Sequence, residues 1–194
     1  SDPRSGTVRE QVTVTGSGYT NAQVYSLRGR LLSFDNGLGL TTRYHYDPAG
    51  RLVSTTSPRV HNQFTYDGSG SLTHENVWDV SARTSVSIDY TYDILGREIQ
   101  RIFTLGKKQL TIRNAYQNDR IVSVELLEDT TAVRKEKYGY TPLGQLDSYA
   151  CEGTQLPTDP WLKQTLKSQT LTYDALGNIA TSTSAVSYTH LRAH

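Results

Sequence analysis

The sequence has 194 residues, with 20 Lys and Arg against 19 Asp and Glu, and this balance gives no electrostatic reason to expect a nucleic acid or an anionic membrane as partner. A single cysteine, Cys151, excludes an intrachain disulfide framework, and no Cys/His cluster has the spacing of a zinc site. Apolar residues are scarcer than in an average globular domain, which favours a thin sheet over a thick core.

The chain begins with a segment, residues 1–19, that is predicted to be an edge of the fold and to form a strand. The sequence starts at Ser1 and contains no methionine. We therefore interpret the chain as an internal piece of a longer protein.

From residue 20 onward the chain repeats a short motif in which a glycine follows a tyrosine by four positions. An aspartate follows the tyrosine directly in four of the copies. The tyrosine and glycine pairs are Tyr25 and Gly29, Tyr46 and Gly50, Tyr66 and Gly70, Tyr92 and Gly96, Tyr140 and Gly144, and Tyr173 and Gly177, and the aspartates are Asp47, Asp67, Asp93 and Asp174.

Each copy predicts a β-hairpin. Residues before the turn alternate, as in Tyr44-His45-Tyr46, and period two with aromatic residues is typical of a strand. The aspartate then begins a four-residue turn, where its carboxylate accepts a backbone N–H two residues on. The glycine ends the turn, where a positive φ costs it little. Successive hairpins predict an all-β protein, a curved strip of antiparallel sheet.

Three places depart from this pattern. A decayed seventh copy starts at Tyr116, with Arg120 in the position of the glycine. In the copy at Tyr92 the apolar residue expected two positions after the glycine is replaced by Glu98, which predicts a one-residue slip that a bulge must absorb. An insertion at about 150–165 interrupts the repeats, and residues 159–168 are the best candidate for helical or irregular structure.

The last residues fit no repeat. Residues 186–194 can be encoded by DNA that resembles a transposase adapter of sequencing libraries, so segment 185–194 is predicted to be an artefact. The repeat region is then 20–184, and His190 and His194 carry no weight as metal ligands.

Candidate chemistry elsewhere is weak. Each aspartate stands alone in its turn, which indicates a turn cap and not a calcium ligand. Tyrosines that recur once per unit favour packing over sugar binding, although an aromatic face including Trp78 and Trp161 would suit a ligand. No catalytic residue, metal or cofactor is predicted, because the histidines lie apart from any nucleophile motif, at His45, His61 and His74.

The Tyr-Asp-x-x-Gly-Arg-Leu pattern of residues 46–52 resembles the YD repeat of RHS proteins, and the resemblance covers residues 20–184. Residues 89–99, 151–160 and 171–179 resemble the C component of bacterial insecticidal toxin complexes. The repeat-defining residues are expected to be structural, and they are Tyr46, Asp47, Gly50, Tyr66, Asp67, Gly70, Tyr92, Asp93, Gly96, Tyr140, Gly144, Tyr173, Asp174 and Gly177.

The resemblance implies a function. In that family the B and C components form a hollow β-sheet shell around a C-terminal toxin, which self-cleavage releases inside the shell. This chain is then expected to be a non-catalytic wall segment of a secreted or surface-located bacterial protein. The partners implied are the B component and the chain's own C-terminal toxin, without nucleic acid or membrane insertion. The family's cleavage motif is absent from the sequence, so no catalytic residue is carried over.

Two alternatives remain. The first is a bacterial surface RHS protein that binds carbohydrate or neighbouring cells. The second is a protein made enzymatic by a domain outside this sequence.

Overall fold

The computed structural model describes residues 6–13, 20–158 and 164–188. These residues form strands joined by turns, and none of them lies in a helix. Within each unit, strands that follow one another in sequence pair in antiparallel fashion. The predicted all-β, antiparallel fold is therefore confirmed. No helix long and apolar enough to cross a membrane occurs in the described part of the chain.

The chain divides into an N-terminal unit, residues 1–89, and a C-terminal unit, residues 90–194. Most strands of the N-terminal unit have five to eight residues. They are β1 (Thr7–Thr13), β2 (Thr20–Ser26), β3 (Leu31–Asp35), β4 (Thr41–Tyr46), β5 (Leu52–Thr56), β6 (Val60–Tyr66) and β7 (Leu72–Asp79), and β8 (Thr84–Tyr92) begins there.

The strands of the C-terminal unit are longer, from eight to ten residues. They are β9 (Glu98–Leu105), β10 (Lys108–Gln117), β11 (Arg120–Glu128), β12 (Thr131–Tyr140), β13 (Leu146–Gly153), β14 (Gln164–Tyr173) and β15 (Ile179–Tyr188).

A bulge recurs next to the repeat tyrosine. In the hairpin of β4 and β5, His45 faces Ser54 and Tyr46 faces Leu52, so Val53 has no partner. An extra residue of this kind adds local twist and re-aims the side chains that follow. The register shifts at the same place beside Tyr25, Tyr66, Tyr116, Tyr140 and Tyr173.

The two faces of the sheet differ in chemistry because side chains alternate along a strand. In β6 the side chains of Phe64 and Tyr66 are half-buried, whereas His61 and Gln63 on the other face are exposed. We call these the tyrosine face and the polar face. The same alternation in β4 places Tyr44 and Tyr46 on the tyrosine face.

Burial is confined to one region. Among the described residues only five are buried, all in the C-terminal unit: Thr111, Leu127, Val133, Cys151 and Thr165. The insertion bonds to one of these residues: the backbone N–H groups of Thr154 and Gln155 donate to the carbonyl of Val133 at 2.9 and 3.0 Å. The amide of Gln155 also donates to Glu128 Oε1 at 2.6 Å.

The helical candidate 159–168 is wrong in its second half. Residues 164–168 open β14, where Gln164 pairs with Tyr188 and the buried Thr165 with Ser187. Cross-strand pairing outweighs local preference there. Residues 159–163, with Trp161, lie outside the described residues. Strand β15 continues to Tyr188, and the assignment of 185–194 to an artefact stays a prediction.

Candidate functional site: a clamp between successive repeats

The repeated turn has one backbone geometry. In turn 47–51 the N–H of Asp47 donates to the carbonyl of Arg51, and the N–H of Gly50 donates to the carbonyl of Asp47, both at 2.9 Å. Gly50 has φ 91°, a left-handed conformation that glycine adopts without steric cost. The same two bonds and a positive φ at the glycine recur in turns 26–30, 67–71, 93–97, 141–145 and 174–178.

The first residue of the turn caps it with a side-chain oxygen. Asp93 Oδ1 accepts the N–H of Leu95 at 2.9 Å and that of Arg97 at 3.0 Å. Asp67 and Asp174 make the equivalent pairs of bonds. Asp47 accepts the N–H four residues on. Where the aspartate is missing, a hydroxyl replaces it, since Ser26 and Thr141 accept the same N–H four residues on.

These bonds favour the ionised carboxylate. The N–H and the guanidinium of Arg51 hold the pKa of Asp47 below its usual value. The Ser69 hydroxyl and the Ser71 N–H lower the pKa of Asp67, and the N–H and side chain of Asn178 lower that of Asp174. Partial burial raises the pKa of Asp93, but the N–H and guanidinium of Arg97 outweigh it and the net change is downward.

The arginine that follows the glycine is held by the same aspartate. Arg51 Nε lies 2.7 Å from Asp47 Oδ2, and Arg97 makes the matching contact with Asp93 Oδ2 at 2.7 Å. The other carboxylate oxygen remains on the backbone. The carboxylate of the aspartate therefore both caps the turn and orients the arginine. Its hydrogen bond to the guanidinium raises the pKa of Arg97.

The oriented arginine covers the tyrosine of the next repeat. The Cζ atom of Arg51 lies 5.0 Å from the ring centroid of Tyr66, and that of Arg97 lies 4.8 Å from the ring of Tyr116. Both distances fall within the range of a cation–π interaction. The same arginine reaches the next turn, where Arg51 Nη1 donates to the carbonyl of Asp67 at 3.3 Å and Arg97 Nη1 lies 2.8 Å from Asp119 Oδ1.

The tyrosine completes the link through its hydroxyl. Tyr66 Oη donates to the carbonyl of Leu52 at 2.8 Å, on the residue just after the covering Arg51. The same bond joins Tyr46 to Leu31, Tyr116 to Glu98, Tyr140 to Ile121 and Tyr173 to Leu146, at 2.5–2.9 Å. We call the arginine, the tyrosine and this carbonyl the inter-repeat clamp, because they fasten a hairpin to the preceding one.

Two forms of the clamp occur. Arg30 and Arg120 have no aspartate at the first position of their own turns, and each lies 5.7 Å from the ring it covers. Their side chains extend over the next glycine instead: a Cβ built on Gly50 would meet Arg30 Nη2 at 2.1 Å. A Cβ on Gly144 would likewise meet Arg120 Nη2 at 1.8 Å. At these two turns an added side chain would displace the end of the arginine as well as strain the backbone.

The decayed copy at Tyr116 is a shortened hairpin. Gln117 pairs with Arg120, and the two residues between them, Asn118 and Asp119, have φ 47° and 61°. Two left-handed residues form a type I′ turn, which needs one residue fewer than the repeated turn. Placing Arg120 in the glycine position is therefore wrong: it occupies the arginine position and covers Tyr140.

The expected slip after Gly96 is also wrong. Glu98 starts β9, and its carbonyl accepts the hydroxyl of Tyr116, as Leu52 does for Tyr66. Glu98 thus occupies the apolar position without a shift. Its carboxylate lies 2.7 Å from Arg101, and the guanidinium of Arg101 lies 5.0 Å from the Tyr90 ring, so the charge is compensated.

Two tyrosines and a glutamate form a cluster on the tyrosine face of the C-terminal unit. The Tyr138 hydroxyl donates to Glu136 Oε2 at 2.5 Å, and its ring lies 5.5 Å from that of Tyr149. Glu136 faces the buried Cys151. Burial, followed by the bond to Glu136, raises the pKa of Tyr138, and burial and Cys151 raise that of Tyr149.

The remaining candidate residues are not gathered into one site. His45 and His61 are exposed on the polar face, and His74 Nδ1 lies 2.7 Å from Asp89. Trp78 lies on the polar face, opposite His61 and away from the tyrosines. Within the described ranges, no group of three His, Cys, Asp or Glu side chains is arranged to hold a metal ion.

A chain of tandem hairpins joined by tyrosine and arginine defines a class of β-strip repeat protein, and the comparisons identify the repeat. The RHS Repeat family matches residues 25–59, which contain the first clamp, so the chain carries an RHS repeat and the predicted resemblance is confirmed. The chain is also similar to the double-stranded DNA deaminase toxin A of Burkholderia cenocepacia (strain H111). The two are 29% identical over 136 residues, which is 62% of this chain and 9% of that protein.

Solved toxin-complex structures share the fold. The Tc holotoxin pore of Photorhabdus luminescens matches 93% of this chain and 10% of that one, with a TM-score of 0.65 and 18% identity. The TcdB2-TccC3 complex without its hypervariable C-terminal region matches 91% and 9%, with a TM-score of 0.61 and 19% identity. This chain thus spans about a tenth of the length of the proteins that it resembles.

Proposed function

We propose that the chain is a wall segment of an RHS shell that encloses and delivers a C-terminal toxin, as in toxin complexes of the B and C type. The observation that supports this proposal best is the inter-repeat clamp. In both units it fastens a hairpin to the preceding one through backbone, ring and cation, and so suits a wall that extends hairpin by hairpin. The fold shared with the Tc structures and the similarity to a deaminase toxin point the same way.

The segment itself is structural in this proposal. Its repeated polar groups are engaged with one another, as the aspartates with turn N–H groups and the tyrosine hydroxyls with carbonyls show. Its partners are a B component and the toxin that follows the repeats, and the assembly is secreted or displayed by a bacterium. Toxicity resides in the cargo.

The test begins with the complete gene, read past Ser184 by sequencing without library adapters, and continues with the full-length protein and the B-type product encoded beside it. We expect the region after the repeats to resist protease in the assembled protein and to be digested when it is produced alone. Equal digestion in both states would contradict the proposal. A wall or membrane anchor in place of a variable domain would favour the surface-binding alternative.

A further inference from the structure

The loop between β3 and β4 has the geometry of the repeated turn, although no tyrosine precedes it. The N–H of Asn36 donates to the carbonyl of Leu40 at 3.2 Å. Asn36 Oδ1 accepts the N–H of Leu38 at 2.9 Å and that of Leu40 at 3.2 Å. Gly39 lies at the fourth position with φ 80°. We call residues 36–40 the Asn36 turn, which has an amide where four of the repeated turns have a carboxylate.

The residue after Asn36 is a glycine whose backbone nitrogen is bonded to a carboxylate. Gly37 N donates to Asp35 Oδ1 at 2.8 Å, and the hydroxyl of Thr41 donates to Asp35 Oδ2 at 2.8 Å, which fixes the carboxylate. Gly37 has φ 74°, and a Cβ built on it would lie 2.6 Å from the backbone oxygen of Thr20. A side chain would therefore not fit there, and glycine leaves the nitrogen unhindered.

This arrangement suits the reaction of an asparagine with its own backbone. An asparagine side chain loses ammonia when the next backbone nitrogen attacks its Cγ atom. The attacking nitrogen of Gly37 has Asp35 within the distance of proton transfer to a general base. The oxygen that becomes negative in the attack, Asn36 Oδ1, already accepts two backbone N–H groups, as in an oxyanion hole. Residues 37–39 are exposed, which leaves room for the backbone to rotate as the ring closes.

We propose that the Asn36 turn catalyses its own deamidation, with Asp35 as the general base. The nitrogen of Gly37 forms a bond to Asn36 Cγ, and its proton passes to Asp35. The bond between Cγ and Nδ2 then breaks, the proton returns through water to the leaving nitrogen, and ammonia departs. The product is a cyclic succinimide, which water opens. No atom changes its oxidation state, and water is the only co-reactant.

The two N–H groups also select the product. Addition of water at Cγ breaks the new bond to Gly37 and gives an aspartate in a normal backbone. Addition at the other ring carbonyl gives isoaspartate, which predominates in unfolded chains. The N–H groups of Leu38 and Leu40 polarise the Cγ carbonyl, so the folded turn favours aspartate. A carboxylate then lies at the first position, as in the repeated turns, and the formal net charge falls from +1 to zero.

The chain contains its own reference for this reaction. Asn36 is the only asparagine in the sequence that is followed by glycine. Asn178 also lies in a turn, but the next residue is Ile179, whose branched side chain hinders attack by its nitrogen. The inference is independent of the shell function, because it depends only on the residues of one loop.

The first test compares the folded and the unfolded chain. The 194-residue chain is incubated at neutral pH in buffer or in guanidinium chloride, and mass spectrometry of its peptides follows conversion at residues 36 and 178. We expect Asn36 to convert at least about tenfold faster in the folded chain, since a general base accelerates proton transfer by about 10²–10⁴-fold. Asn178 should stay intact. Equal or slower conversion of Asn36 in the folded chain would overturn the proposal, because its sequence alone would then account for the reaction.

Variants test the base. Asp35→Asn keeps an acceptor oxygen for Gly37 but removes the base, and it should slow conversion in the folded chain at least about tenfold. Thr41→Val releases the carboxylate and should slow conversion less. The control is Asp79→Asn, which removes a carboxylate bonded to the N–H of Ala82 in another turn and should leave the rate unchanged. Circular dichroism establishes that each variant is folded. An unchanged rate in Asp35→Asn would overturn the role of the base.

The identity of the product is a separate readout. Electron-transfer fragmentation distinguishes aspartate from isoaspartate at residue 36, with the Asn36→Asp variant as the reference for aspartate. We expect mainly aspartate from the folded chain and mainly isoaspartate from the unfolded chain. Isoaspartate as the main product of both would overturn the role of the Leu38 and Leu40 N–H groups.

Discussion

The two units are built from the same repeat but differ in how they bury side chains. The N-terminal unit has short strands and no buried side chain among its described residues, whereas the C-terminal unit buries Leu127, Val133 and Cys151. Both contain two arginine clamps, so the clamp does not account for the difference. The burial occurs where the insertion after β13 bonds to Val133 and Glu128.

This difference separates two sources of stability. The repeat alone gives a single-layered sheet held by ladder hydrogen bonds and clamps. The interruption of the repeat adds hydrogen bonds to Val133 and Glu128, in the unit that holds the only buried apolar side chains among the described residues. A departure from the repeat that weakens the sequence pattern thus adds contacts that the repeat alone does not make.

The largest effect is expected from removing a buried apolar side chain of the C-terminal unit. Leu127→Ala should lower the free energy of unfolding of the C-terminal unit by about 2–5 kcal/mol, the range for buried leucines. Leu52→Ala, at a half-buried position of the N-terminal unit, serves as the control and should cost less. Urea unfolding, followed in variants that retain only Trp78 or only Trp161, measures each unit. Equal losses would show that the burial of Leu127 adds no special stability.

The next largest effect comes from replacing turn glycines, where a side chain strains the backbone and, at Gly50, also meets the end of Arg30. Gly50 and Gly70 have nearly equal φ, 91° and 93°, but only Gly50 lies under an arginine side chain, whereas Gly70 has its nearest such atom at 3.9 Å. Gly70→Val should cost about 1–3 kcal/mol for a strained backbone. Gly50→Val should cost about 0.5–1 kcal/mol more, because Arg30 must leave Tyr46.

Thermal unfolding of the two variants decides this point. Gly96→Val, at a turn with nothing near the built Cβ, should behave like Gly70→Val. If Gly50→Val is no worse than the others, the space above Gly50 is unimportant. If none of the three variants is destabilised, the turn geometry itself is wrong.

A smaller effect tests the clamp. In a double-mutant cycle, Arg97→Gln and Tyr116→Leu should show a coupling of about 0.5–1 kcal/mol. The turn 141–145 has Gln145 in the arginine position, and its amide bonds to the carbonyl of Gly177 at 3.2 Å. Gln145→Arg places a cation near Tyr173 and should stabilise the C-terminal unit by a similar amount. A cycle with no coupling, together with no gain from Gln145→Arg, would contradict the clamp.

Acid should destabilise both units, whereas alkaline pH should destabilise the C-terminal unit selectively. The pKa values of Asp47, Asp67, Asp93 and Asp174 are lowered, so their contribution is present above the unfolded pKa of about 3.9 and is lost as pH falls through the folded values. Two of these aspartates lie in each unit, and both units should therefore weaken in acid.

Alkaline pH should affect the C-terminal unit selectively. The pKa values of Tyr138 and Tyr149 are raised, so their contribution is complete below the unfolded pKa of about 10 and is lost as pH rises above it. Urea midpoints from pH 9 to pH 11 test this point, with Tyr138→Phe as the control that should reduce the alkaline loss. Parallel losses in both units would contradict it.

The sequence predicted the hairpins well because their signals are local. The spacing of Tyr46, Asp47 and Gly50 determines a turn within five residues, and the structure has that turn. The clamp was missed because Arg51 and Tyr66 are distant in sequence, although an arginine after the glycine was visible. Arg120 was misplaced because a four-position spacing does not reveal a deleted turn residue.

The shortened hairpin at Asn118 and Asp119 has a consequence for how such proteins evolve. Each clamp reaches only to the adjacent repeat, so the loss of one turn residue leaves Arg97 on Tyr116 before it and Arg120 on Tyr140 after it. The deletion of a residue in one repeat therefore leaves the clamps of the neighbouring repeats in place. A gene of this kind can duplicate, trim or interrupt its modules one at a time, and natural selection can adjust the length of the product without redesigning it.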